Sequence, residues 1–276
     1  MIRSPVTMTL PTLPELVYDV VWERLGLGPM PSPLVVRRHG SDDAERQECR
    51  DRAHRWLTSN SLGDANNLDG DLVQALRAMD DRDLALSLSY SDSAGRVAVG
   101  CFPQPSGRAL RVIARNETVE LGWMNATRMA EGMLEALPDS RPGVGRPLRV
   151  NELAFIRSGR AWRRSGLLSI GKRSLIEHGV APEGAEWFLR VLSRAKAIGQ
   201  ASAARAGVAG KELTTIRPLS VVDSVDGRYV VVRSYGSATL MPADDATLKA
   251  WIGGLADGDF IESRPARDTG AYSHLS

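Results

Sequence analysis

Between Asp83 and Trp123, apolar residues recur at every second position in four successive segments, and this alternation restricts the chain to folds built on a sheet. Leu84, Leu86, Leu88 and Tyr90 form the first set and Val97, Val99 and Cys101 the second. Leu110, Val112 and Ala114 form the third, and Val119, Leu121 and Trp123 the fourth. Successive side chains of a strand point to opposite faces, so a period of two describes four strands sharing one apolar face. The connections Ser91 to Gly95, Pro103 to Gly107 and Asn116-Glu117 are built from residues that preset or tolerate turn dihedrals, which predicts an antiparallel meander. Its apolar face needs a cover, and the sequence on both sides carries helical patterns.

Ahead of the meander, Val6 to Leu10 reads as a short strand. Thr12 and Glu15 have capping-box spacing before a helix carrying Leu16, Val17, Val20, Val21 and Leu25, with an exit at Gly26 to Gly28. Pro29, Pro31 and Pro33 forbid helix, and Leu34 to Arg37 reads as a second short strand. Ser41, Asp42 and Asp43 open a helix with Cys49, Ala53, Trp56 and Leu57 on one stripe, and Asp69 caps another with Leu72, Val73, Leu76 and Met79 inward. After the meander, Asn125 starts a helix that Pro138 ends.

The same plan then recurs. A helix from Glu183 to Lys196 precedes strands at Gln200 to Ala206, Leu219 to Asp223, Arg228 to Tyr235 and Ala238 to Met241, and a helix from Asp244 to Leu255 follows. Asp226-Gly227 is the strongest hairpin signal in the chain. Two similar halves, 1–137 and 173–256, are therefore expected to form one domain around a pseudo-two-fold axis. Residues 138–172, rich in Pro, Gly and Ser at their start, are expected to be a linker or crossover, and 257–276 a mobile tail.

The chain has 35 basic and 33 acidic side chains, a formal charge of only +2, so no global field marks a nucleic-acid or anionic-membrane partner. Cys49 and Cys101 are far apart and lack metal-ligand spacing, which predicts buried thiols in a reducing compartment. Without a signal-peptide pattern or an apolar run of membrane-spanning length, the expected location is cytoplasmic.

The nearest approach to a catalytic signature is Gly166-Leu167-Leu168-Ser169-Ile170-Gly171-Lys172, which has P-loop spacing as far as its lysine. Arg173 then stands where a magnesium-binding hydroxyl belongs, so the segment reads as a flexible connection. Arg157, Arg160, Arg163, Arg164, Lys172 and Arg173 around Trp162 read as a solvated linker face rather than a nucleic-acid track. His39, His54, His178 and His274 lack catalytic or metal-binding spacing, and Asp80, Asp81 and Asp83 read as a turn. No catalytic residue, cofactor or metal is expected.

Three stretches carry a family resemblance: Gly199 to Arg205, Val221 to Val231, and Ala238-Thr239-Leu240-Met241-Pro242-Ala243-Asp244. They resemble the C-terminal strands and helix of the EspG family, the type VII (ESX) secretion-associated proteins of mycobacteria and related actinobacteria. Val20-Val21-Trp22-Glu23-Arg24-Leu25-Gly26-Leu27-Gly28-Pro29-Met30-Pro31 is similar to the family's opening helix and Pro-rich exit, and the likeness runs in order over 7–256. It implies an α/β (α+β) pseudo-two-fold fold with a long, mainly antiparallel central sheet flanked by two helical bundles. It also implies a cytoplasmic chaperone that binds the PPE subunit tip of a PE–PPE heterodimer and directs the pair to its secretion system. A small-molecule enzyme or a nucleic-acid adaptor on the same scaffold is the alternative.

The partner surface is sought in the second half. Val230 and Val232 project opposite to Tyr229, Val231, Arg233 and Tyr235, so this strand is apolar on both faces, more than one buried side requires. The expected partner-binding residues are Trp187, Arg190, Val191, Arg194, Gln200, Arg205, Tyr229, Val231 and Arg233. The competing reading is that helices cover both faces of this strand.

Overall fold

The structure, a computed structural model, describes residues 6–64, 66–206, 212–214, 218–234 and 236–257. The expected tail from 258 onward, His274 and Tyr235 lie outside the described residues. Among the described residues, twelve strands join in one antiparallel sheet. The first half contains β1 (Val6–Thr9), β2 (Leu13–Pro14), α1 (Glu15–Arg24), α2 (Asp43–Ser59) and α3 (Gly70–Asp80). Its meander is β3 (Leu84–Asp92), β4 (Gly95–Pro103), β5 (Arg108–Arg115) and β6 (Thr118–Asn125), followed by a 3-10 turn and α4 (Met129–Leu134). The second half contains β7 (Leu148–Asn151), α5 (Glu152–Ser165), α6 (Leu168–Glu177) and α7 (Pro182–Ser193), then β8 (Ala195–Ala206), β9 (Glu212–Thr214), β10 (Leu219–Ser224), β11 (Gly227–Ser234), β12 (Ser237–Pro242) and α8 (Asp245–Asp257).

The path β1-β6-β5-β4-β3-β8-β10-β11-β12-β7 shows the repeat. In each half an edge strand comes first, three helices follow, and the last meander strand returns to pair with the edge strand. The two first meander strands, β3 and β8, pair with each other at the centre, with Leu86 opposite Ala203, Ser87 opposite Ser202 and Leu88 opposite Ala201. The expected doubled sheet is present.

Register assigns the cores to faces. Leu86, Leu88, Tyr90, Val99, Ala201, Ala203, Val221 and Val230 share one face, which α4 and α8 cover together across the middle of the sheet. On the opposite face α1 to α3 bury Phe102, Leu110, Val112 and Leu121 at one end, so the single apolar face expected across the four meander strands is split: antiparallel partners share a face, and Val99 pairs with Ile113 while Val112 pairs with Gly100. At the other end α5 to α7 bury Val222, Tyr229, Val231 and Leu240. Both cysteines are free and buried, and burial pushes the Cys101 thiol up to about 12.

Several local expectations change. The Thr12 capping box is absent: Pro14 precedes α1, whose first amide, Glu15, donates to the Glu117 carbonyl at 2.8 Å. Leu34 to Arg37 is not a strand; Leu34 sits in a turn, its amide bonded to Pro31 O at 2.8 Å, and its side chain lies over Gly100. The caps at Asp42 and Asp69 form, each accepting from an amide three residues on. Beyond residue 147 the expected linker is instead β7 and the helical hairpin α5–α6. Asn151 starts α5 by accepting from Leu153 N and Ala154 N, and Gly166 ends it in the left-handed region at φ 70°. The P-loop-like run is thus a helix corner, and Lys172 pairs with Glu186 at 2.7 Å.

Candidate functional site

Antiparallel partners share a face, so Ser87, Ser89, Ser91, Ile198, Gln200 and Ser202 line the centre of the face that carries α1–α3 and α5–α7. Their neighbours on the reverse face are buried, yet these six are half-buried or exposed. The two helical groups cover the sheet's ends and leave this strip open between them. On the β4 side it is bounded by Pro33 and Leu34, with Arg96 donating to Ser89 Oγ at 3.2 Å and to Pro33 O at 3.5 Å. The Ser87 and Ser202 hydroxyls are 2.8 Å apart and satisfy one another across the central strand pair.

On the β10 side the strip deepens into a cleft of about 760 Å³ between the sheet, α5 and α7. Phe155, Trp162, Leu192 and Ile198 give it apolar walls, Gln200, Ser220, Val222 and Val231 line its sheet side, and Arg160 and Arg163 stand on its helical side. Small residues set the wall. Ser158 donates to Gly171 O at 2.9 Å, and a Cβ on Gly171 would meet Ser158 Oγ at 3.3 Å, so α5 and α6 approach closely at this point. Gly159 faces the cleft, where an added Cβ would meet nothing within 4 Å.

Large apolar side chains remain in water along this edge. Ile198 on β8 is 55% exposed and Leu167 at the α5–α6 corner 56%, with Leu168 and Ile170 following on α6. An apolar cleft bordered by the half-exposed Ile198 has the chemistry of a surface that another molecule covers. Among the described residues no group of three or more His, Cys, Asp or Glu could hold a metal, and no helix is long and apolar enough to cross a membrane.

The nine residues singled out in the sequence separate into distinct environments. Gln200 and Val231 line the cleft. Tyr229 and Val191 are fully buried and out of a partner's reach, which corrects the expectation for both. The Tyr229 hydroxyl donates to Val144 O at 3.0 Å and accepts from Val144 N at 2.9 Å; burial raises its pKa, against the lowering effect of that bond. Trp187 meets the Tyr229 ring edge-on at 6.0 Å and donates to Val144 O at 3.2 Å, so it holds the crossover against the sheet. Arg194 pairs with Asp226 at 3.2 Å and Arg233 with Glu152 at 3.3 Å. Arg205 donates to Ala256 O at the end of α8, on the reverse face, and Arg190 is exposed on α7.

The apolar surplus on β11 is therefore consumed by helices on both faces, as the competing reading held. The residues that sequence reasoning missed are Phe155, Trp162 and Ile198. The signal for Ile198 was available: in Ala197-Ile198-Gly199-Gln200-Ala201-Ser202-Ala203 one face is uniformly small, and the other holds Ile198, Gln200 and Ser202.

The family model described as the EspG family matches residues 14–254. No curated protein matches the chain. Among solved structures, the chain is similar to the Mycobacterium tuberculosis type VII secretion system chaperone EspG5 in complex with the PE25–PPE41 dimer, with a TM-score of 0.73 and 10% sequence identity, over 93% of this chain and 98% of that one. At that identity the likeness establishes the shared fold.

Proposed function

The chain belongs to the EspG family, and from that premise we propose that it is a cytoplasmic chaperone of a type VII (ESX) secretion system. On this reading it binds the PPE subunit tip of a PE–PPE heterodimer, keeps the pair soluble and directs it to secretion. It is a binding protein, not an enzyme. The likeness to a chaperone solved with a PE–PPE dimer supports the reading. The observation that carries the placement of the client is the open strip, with Ile198 more than half exposed beside an apolar cleft. A client with an apolar end would lose that end from water by seating it there, and burial needs area and shape without chemistry.

Co-expression with the PE–PPE pairs of the source genome, followed by affinity capture, is expected to retain at least one pair. Ile198→Asp is expected to release it. The exposed half of an isoleucine contributes about 1 kcal/mol when covered, and covering a carboxylate costs more than the about 1–3 kcal/mol of a neutral polar group, so affinity should fall at least about 30-fold. Thermal unfolding should stay close to wild type because the position faces water in the free protein. A folded Ile198→Asp variant that retains the pair at wild-type affinity would move the client off this face.

A further inference from the structure

The charge of the chain is unevenly placed. The segment 152–177, which is the α5–α6 hairpin, holds six basic residues (Arg157, Arg160, Arg163, Arg164, Lys172, Arg173) and two acidic ones (Glu152, Glu177), a net +4. With +2 for the whole chain, everything else sums to −2. Elsewhere several arginines are matched: Arg50 with Glu23, Arg111 with Glu135, Arg115 with Glu120, Arg128 with Glu131 and Arg194 with Asp226. On the hairpin, Arg160, Arg163, Arg164 and Arg173 are exposed and make no ion pair among the described residues.

Most of these cations have an internal explanation, and Arg160 does not: Lys172 pairs with Glu186, and the Arg157 guanidinium lies 3.1 Å from His178 Nε2. Arg163 and Arg164 stand in the last turn of α5, where the helix dipole favours positive charge. Arg160 lies outside that turn, three residues from Arg163 and four from Arg164, spacings at which like charges repel. The fold therefore keeps a repulsive cluster, and two of its members, Arg160 and Arg163, line the apolar cleft.

We propose that this hairpin selects clients whose inserted end carries carboxylates around an apolar tip, the apolar part entering the cleft and the acidic collar meeting Arg160, Arg163 and Arg164. The proposal rests on the chaperone reading and deepens it: apolar burial holds the client, and the arginine rim decides which client is admitted and how fast. Rim charges act chiefly on association rate and on rejection of like-charged partners. An anionic lipid surface would satisfy the same charges, but the cations border a concave cleft, which fits the end of a protein better than a bilayer plane.

The test uses the full chain and the PE–PPE heterodimer that it retains on co-expression. Arg160→Glu/Arg163→Glu/Arg164→Glu is expected to slow association about 10- to 100-fold at low salt with a smaller change in dissociation, and wild-type association is expected to slow as salt rises while the variant's does not. The neutral version, with Gln at the three positions, should fall between them and covers the case in which the reversed variant folds poorly. Salt-independent wild-type association, or unchanged rates in folded charge variants, would overturn the acidic-collar proposal while leaving the chaperone reading intact. Loss of phosphatidylglycerol-vesicle binding with undiminished client capture would also overturn it, assigning the cations to lipid. If no pair is retained even by wild type, the chaperone reading itself falls, and the collar proposal with it.

Discussion

Replacing Arg228 with Met should destabilise the protein more than any surface change, because the guanidinium completes a buried junction between the two halves. Arg228 is 2% exposed and donates twice to Asp223, Nε to Oδ1 at 2.7 Å and Nη2 to Oδ2 at 2.8 Å, and once to the crossover at Pro138 O, 2.7 Å away. From the first half, Tyr90 donates its hydroxyl to Asp223 Oδ2 at 2.6 Å. Burial opposes the Arg228 charge, but the bonds and charge of Asp223 outweigh it and raise its pKa. Without Arg228 the Asp223 carboxylate keeps one donor, Tyr90, and the Pro138 carbonyl loses its partner. Removing one member of a buried pair costs about 3–5 kcal/mol. Asp245, 3.8 Å from Nη1 and exposed, is a weak second partner of Arg228 and adds little to that cost.

At about 2 °C per kcal/mol for a chain of this size, the melting temperature should fall about 6–10 °C. Asp223→Leu combined with Arg228→Met should recover part of the loss, since an apolar pair leaves no uncompensated charge, while the Tyr90 hydroxyl and the Pro138 carbonyl still lack their partners. Urea unfolding of the wild type, both single variants and the double variant gives the coupling energy directly. A single-variant cost below about 1 kcal/mol with negligible coupling would refute the reasoning, because every magnitude above comes from an uncompensated buried charge.

Three smaller predictions concern the cleft and the acid limit. Gly159→Ala should raise stability by about 0.5–1 kcal/mol in thermal melts, since it removes a helical glycine and the added Cβ meets nothing, whereas Gly159→Trp should keep the fold and lose client capture by filling the cleft. Its hydrogen bond to Arg46 holds the Glu23 carboxyl below the usual carboxylate range, so its stabilisation is present above about pH 4.5 and is lost as pH falls through the depressed value; Glu23→Gln should flatten that part of an acid-unfolding curve, and an unchanged curve would discount the pair.

The strands were legible in position, but which face each apolar set takes was not, because β4 to β6 are buried on both faces. In β3 to β6 the alternation marks every strand, but the single shared apolar face it implies is not adopted: Val99 pairs with Ile113 and Gly100 with Val112, so Leu86, Leu88, Tyr90, Val99 and Cys101 face α4 and α8, whereas Leu110, Val112, Val119, Leu121 and Trp123 face α1 to α3. Helix α5 was illegible for a physical reason. Gly159, Gly166, Gly171 and Ser158 read as a linker in composition, but Ser158 and Gly171 are small because two helices touch there, and Gly166 is a helix stop. β8 was truncated at Gln200 because Ala195-Lys196-Ala197 continues a helical pattern; the chain instead leaves α7 at Ser193 and pairs at once with β10, and this truncation left Ile198 out of the candidate site. The choice of Tyr229 failed because its polar partner, Val144, is 85 residues away in sequence.

The open strip follows from the order of elements. In each half, three helices run from an outer strand to the first meander strand, and the burial they provide falls mainly on the outer part of the sheet. The helix after each meander, α4 or α8, packs on the reverse face, where the two meet across the centre. Doubling such a half about β3 and β8 leaves the central pair uncovered on one side only. The residues there suit intermittent cover. Ser87, Ser89, Gln200 and Ser202 are readily hydrated, as a permanently buried face would not need, while Ile198 at 55% exposure gains nothing from water. A strand face that alternates between solvent and a partner has use for both, with hydroxyls that keep the free form soluble and an apolar group whose burial favours the complex.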